Sequence, residues 1–179
     1  MTFLHLLTVM VLLAVHALAL GLWLRRWAGA PVLGLSVGVV AGVTVLFAVE
    51  HAIGLGSLRG LGVLTGLVSA GLIWRERAAL RHPRVALTAL PILLAVGWGL
   101  AWKLNFPSIY PTSERVTDLY FIVNYLDGAR LPPVDHWFPP YAFDFYYALQ
   151  HYAAALMGRW FALSPGLTYN LAFVLLPAL

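Results

Sequence analysis

Apolar residues run along this chain in long, nearly unbroken stretches, and the charged positions collect in short clusters between them. Residues 2–24, 30–53 and 85–104 are each long enough to cross a bilayer core, which takes about 20 helical residues. Residues 58–74 form a shorter, glycine-rich third stretch, and 141–161 a fifth that opens on aromatics. The pattern predicts an all-α fold, a polytopic transmembrane helix bundle. A sixth helix is expected from Pro165, because Ser164 can cap it and proline suits the first helical position. It is still apolar at Leu179, which makes the chain look like a truncated piece of a longer protein. Gly34, Gly38 and Gly42 repeat every four residues and should let a neighbouring helix come close. Pro91 should kink the fourth stretch and free a carbonyl for a neighbour.

Composition agrees with the pattern. The chain is 61% hydrophobic and 10% charged, with mean hydropathy +0.85, against roughly 25% charged residues in a soluble domain. An integral membrane protein is expected, with the lipid bilayer as its first partner. The absence of cysteine excludes disulfides and thiolate metal sites. The net charge of +4 is no nucleic-acid cue, because the arginines cluster at helix ends and not along a groove; it is a topology signal. No Lys or Arg precedes the first stretch, and Arg25 and Arg26 follow it, the reverse of a signal peptide. The first helix should therefore be retained in the cell membrane with its N-terminus outside. The four arginines at 75–84 should be cytoplasmic. Counting alternately puts 54–58 outside, the loop after residue 104 outside, and Arg159 inside. Glu50 and His51 fall near the outer end of the second stretch, where interfacial solvation is the ordinary expectation and a buried functional pair the alternative.

The chemistry is concentrated in residues 105–152. Five of the seven acidic residues lie there: Glu114, Asp118, Asp127, Asp135 and Asp144. Pro107 and Pro111 should hold the start of the loop extended. Thr117 can cap a short helix over 118–126, closed by Asp127-Gly128, and its aromatic content predicts that it lies in the interface plane. Asp118 would then sit in the first turn, where the helix dipole favours its ionised form. It can equally be read as a capping residue alone. Prolines 132, 133, 139 and 140 stiffen the next segment and present Asp135 and His136 beside Trp137 and Phe138. If the following segment is helical, Asp144, Tyr147 and His151 share one face. An aromatic belt anchoring the helix accounts for the tyrosines, though not for Asp144.

Glu114-Arg115-x-x-Asp118, then Pro132-Pro133-x-Asp135-x-Trp137-Phe138, then Asp144-Phe145-Tyr146-Tyr147 resemble the motifs of the bacterial and archaeal "YYY" membrane protein family. The family's usual version has Lys for Arg115, Pro for His136, Asn for Asp144 and Tyr for Phe145. The Ser164-Pro165-Gly166 helix start leading to Asn170 also fits its layout. That family in turn resembles membrane-embedded glycosyltransferases of the GT-C type. The resemblance implies a three-helix transmembrane region over residues 1–84. Residues 85–179 would begin a GT-C-like module with an acidic external loop at 105–140 and two further helices. It implies transfer of a sugar from a polyprenyl-phosphate donor to an acceptor on the external face, with inversion. Asp118, helped by Glu114, is the expected catalytic carboxylate, since the acceptor hydroxyl must lose a proton as it attacks. Arg115, Asp135, His136, Trp137, Asp144, Tyr146, Tyr147 and His151 are the expected substrate contacts. Arg115, Arg130, or a Mg or Mn ion on Glu114 and Asp118 would balance the departing phosphate. Two other readings stand beside the enzyme: a transporter with a polar path through Asp144 and His151, and a non-catalytic scaffold using the loop to dock a partner subunit.

Overall fold

The computed structural model describes residues 3–81, 83–109, 114–127, 130–144 and 148–175. Among the described residues eight helices follow one another: α1 (Phe3–Ala28), α2 (Pro31–Ile53), α3 (Leu61–Arg75), α4 (Arg77–Leu80), α5 (Pro83–Asn105), α6 (Glu114–Asp127), α7 (Ala148–Phe161) and α8 (Pro165–Leu175). Among the described residues there is no strand, only an isolated antiparallel bridge between Val134 and Ala142. The chain is all-helical. Leu4–Ala28 and Pro31–Ile53 are long and apolar enough to cross a membrane.

α1 and α2 form a tight antiparallel pair. Gly29, at φ 79°, makes the corner, and Pro31 opens α2. A Cβ on Gly34 would lie 3.1 Å from the Arg25 backbone nitrogen, and one on Gly38 would meet Leu24 and Leu20, so these two glycines let α2 lie against α1. Gly42, the third of the series, faces open space. At the corner end of this pair Arg25 and Arg26 reach across to Glu76, which is buried in the break between α3 and α4, at 3.0 and 2.7 Å. Arg25 and Arg26 are thereby tied to the residue that Arg75 and Arg77 flank in the chain.

Three expectations change. Within the described residues the third apolar stretch gives a helix of 15 residues and the fifth one of 14, about 21–23 Å at 1.5 Å per residue. Residues 141–144 precede α7 and belong to the loop. Arg159 does not lie opposite the 54–58 connection. Its guanidinium donates to the Gly56 carbonyl and pairs with Glu50, and the neighbouring Phe161 carbonyl lies 3.3 Å from His5 Nε2. Counting sides assumes that every apolar stretch crosses, and α7 turns back toward the α2–α3 connection and the start of α1.

α6 begins at Glu114, four residues earlier than its cap residues predict, because Thr117 lies inside the helix. It does not lie with a free apolar face. Tyr120, Phe121, Ile122 and Tyr125 are buried in the main core against Tyr152, Ala155 and Leu156 of α7 and Tyr169 and Ala172 of α8. Small residues make this crossing possible. A Cβ on Gly158 would come within 2.6–2.8 Å of Thr168 in α8 and Leu126 in α6. α8 starts at Pro165 as its sequence predicts, and α5 runs through Pro91 without a break.

Candidate functional site

Three helices each contribute a stripe to one small cavity of about 170 Å³: Asp118 and Ile122 from α6, His151 and Ala154 from α7, Tyr169 and Phe173 from α8. The spacings are i, i+4 and i, i+3, so each pair shares a helix face. His151 Nε2 lies 3.1 Å from Asp118 Oδ1. A carboxylate can only accept, so an ionised Asp118 requires the proton on Nε2. His151 is buried and Asp118 half-exposed, which leaves the carboxylate open to the cavity with one oxygen held in place.

Positive charge gathers at the same place. Lys103, the only lysine of the chain, is 7% exposed. Its ammonium sits over the rings of Tyr169 and Phe173, 4.8 and 4.4 Å from their centroids, a cation–π arrangement that partly offsets the loss of water. Arg115, one turn before Asp118, acts electrostatically on both Lys103 and Tyr169. No salt bridge to Lys103 or Arg115 is formed among the described residues. Lys103 thus packs on two walls of the cavity, Tyr169 and Phe173, and Arg115 lies one turn from Asp118, although neither cation lines the cavity itself.

A second cluster surrounds Tyr120 on another face of α6. The Tyr120 hydroxyl and the backbone N–H groups of Trp137 and Phe138 all donate to Asp135 Oδ1, the last two at 2.8 and 3.1 Å. Burial works against the Asp135 charge, but the three donors outweigh it and hold the carboxyl below its ordinary value. Burial first, then the bond to Asp135, pushes the Tyr120 phenol up. Trp137 stacks on Tyr120 at 3.6 Å and 10°, and the His136 N–H donates to Asn124 at 3.0 Å. Asp135, His136 and Trp137 therefore belong together, gathered around Tyr120 and not around Asp118.

The remaining expected residues are scattered. Glu114 is exposed in the first turn of α6, and Arg130 is exposed at the base of the next segment. Asp144 is exposed ahead of α7 and forms no face with His151. Together with burial, which is the larger cause, its charge pushes the Tyr125 phenol up to about 12. Tyr146 and Tyr147 lie outside the described residues. The expected Mg or Mn fits poorly. A Mg ion can be held by one or two carboxylates plus substrate phosphate, but Asp118 already gives Oδ1 to His151, and Lys103 and Arg115 supply positive charge beside the same cavity. Among the described residues no three His, Cys, Asp or Glu side chains converge.

Glu50 resolves the other way from interfacial solvation. It is wholly buried, 2.7 Å from Arg159 and accepting a 2.5 Å hydrogen bond from Tyr152, while His51 is exposed. Two features were missed in the sequence. Lys103 carried a usable signal, being a lone charge in an apolar helix. Tyr169 carried none.

Behind the polar cavity lies a larger, almost wholly apolar one of about 470 Å³ between α1, α2, α5, α7 and α8, lined by residues such as Leu13, Val39, Ile92, Met157 and Leu175. The two cavities share Ala154 and Ala172 as walls. Comparison of the chain with family models, curated proteins and solved structures finds no match.

Proposed function

We propose that this chain is a multi-pass membrane protein of the YYY type, GT-C-like in fold, that transfers a sugar from a polyprenyl-phosphate donor to an acceptor hydroxyl on the external face. The observation that carries this is the shared wall. An amphiphilic substrate with an anionic head and a long apolar tail needs a polar site beside an apolar cavity, and Ala154 and Ala172 line both.

In this proposal the donor phosphate binds beside Lys103 and Arg115, and its prenyl chain enters the apolar cavity. The acceptor oxygen attacks the anomeric carbon and passes its proton to Asp118. The bond from that carbon to the phosphate oxygen breaks, and its electron pair leaves with the phosphate, whose charge the two cations stabilise. His151 acts through Asp118. By holding Oδ1 it aims the second carboxylate oxygen at the acceptor. Attack and departure on opposite faces of the ring give inversion.

The test is turnover by the purified full-length protein with a panel of polyprenyl-phosphate sugars, beside Asp118→Asn. Transfer or donor hydrolysis by the wild type, lost in the variant while the fold is retained, is the expected result. If no donor binds or reacts, the proposal fails.

A further inference from the structure

Residues 130–144, between α6 and α7, fold into a small hairpin that carries three exposed rings, one of them, Trp137, stacked by one face on Tyr120. Trp137 is 56% exposed, Phe138 66% and Tyr141 73%. Exposed aromatics on a loose loop would collapse onto the nearest apolar surface, but these are held out by a closed set of backbone bonds. Asp135 N–H donates to the Tyr141 carbonyl at 2.8 Å, Tyr141 N–H to Phe138 at 3.0 Å, and Phe143 N–H to Pro133 at 2.7 Å. The N–H groups of His136, Trp137 and Phe138 are taken by Asn124 and Asp135. Prolines 132, 133, 139 and 140 have no N–H to leave unpaired. The Asp135 carboxylate at the base of the tip turns inward to its donors. The outer rim is therefore mostly apolar and aromatic, with the exposed His136 as its titratable side chain, and much of its backbone polarity is already satisfied.

We propose that this hairpin is the element that rests in the headgroup layer of the bilayer, with Trp137, Phe138 and Tyr141 entering the boundary between headgroups and acyl chains. This rests on the membrane placement proposed above. Aromatic rings are favoured at that depth because one part of the ring system is apolar and another can meet water. A segment entering it must not carry unpaired N–H groups into a region poor in water, and the inward bonding meets that need. The sequence assigned this role to the helix after Thr117, but the apolar residues of α6 are buried in the core. The hairpin offers no Lys or Arg at its tip, so neutral zwitterionic lipid suffices and anionic lipid is not required. Seating the tip would fix α6, and with it Asp118, at a set height above the bilayer.

The absence of cysteine permits a direct test on the whole protein. Phe138→Cys, Tyr141→Cys and, as a reference within α2, Val40→Cys are each labelled with an environment-sensitive fluorophore and placed in phosphatidylcholine nanodiscs. Quenching is then compared for lipid nitroxides near the headgroup, lipid nitroxides near the bilayer centre, and aqueous iodide. Apolar residues of interfacial elements lie about 5–10 Å into the boundary, so both hairpin positions should be quenched about twofold more by the shallow nitroxide than by the deep one. Val40 should show the reverse order. Val40 quenched by lipid with both hairpin positions quenched only by iodide overturns the hairpin inference and leaves the membrane proposal standing. Hairpin positions protected from all three quenchers would mean that protein covers the tip, and that also overturns it. Val40 open to iodide and untouched by lipid overturns the membrane proposal itself.

Discussion

Glu50 and Asp118 each meet a basic side chain of α7, Arg159 in its last turn and His151 in its first, and the two meetings differ in what is left over. Around Glu50 little remains: the carboxylate is out of water, one oxygen faces Arg159, the other takes the Tyr152 hydroxyl, and Arg159 donates again to Gly56. Around Asp118 the carboxylate is half-exposed to a cavity, and Lys103 and Arg115 stand nearby without a salt bridge of their own among the described residues. Charge that is matched and sealed ties helices together. Unmatched charge beside a void is where a ligand can complete the balance. The same helix thus carries a structural pair at one end and the proposed chemistry at the other.

The sharpest way to break this contrast is Arg159→Met, which strands the Glu50 charge. Removing one partner of a buried pair should cost about 3–5 kcal/mol, and Glu50→Leu together with Arg159→Met should recover most of it. Denaturant unfolding in detergent micelles measures both. A single-variant cost below about 1 kcal/mol, the range of exposed pairs, would erase the distinction. Asp118→Asn should do the opposite. Stability should change by less than about 1 kcal/mol because the pair is half in water, while sugar transfer falls about 10²–10⁴-fold. Equal loss of stability in the two variants would make them the same kind of pair.

Lys103→Met removes one of the two unmatched cations. Donor binding should weaken about tenfold, a change of about 1.4 kcal/mol, with Lys103→Arg in between. Isothermal titration with polyprenyl phosphate reads this, and unchanged affinity would separate Lys103 from the anion site. The smallest effect concerns the second cluster. The Asp135 carboxyl is held below its ordinary value, so its contribution is complete above about pH 4, the ordinary carboxylate range. It is lost as pH falls through the lower folded value. Fluorescence of Trp137, with the other tryptophans replaced by phenylalanine, should report loosening only in that acid window, and Asp135→Asn should remove the dependence. A transition at or above the ordinary carboxylate range would mean that the three donors do not hold the charged form.

Much of the local structure is legible in the residues themselves. Long apolar stretches with at most one charged residue each gave the positions of α1, α2 and α5, and Ser164-Pro165 marked the start of α8. Glu114 to Thr117 looks polar enough to be loop, yet it forms the first turn of α6, because that helix is stabilised by the buried residues that follow. Of the two acidic residues outside the loop, Glu50 ends in a buried pair with Arg159, and Glu76 is buried beneath the partly exposed Arg25 and Arg26. For Glu50 that outcome is physically expected of a carboxylate set among apolar neighbours, which must find a partner.

The sequence by itself determined that the chain is helical, where its apolar helices run, which charges share the Arg25–Glu76 end, and that Asp118 belongs to the segment where chemistry is concentrated. Only the tertiary structure decided that Asp118 meets His151 and not Asp144, that Lys103 joins that site, and that Arg159 turns to Glu50. Helix formation is governed by neighbours within a few residues, so its signals lie along the chain. Which faces of two helices meet depends on crossings that small residues such as Gly158 permit, and those crossings join positions far apart in the chain.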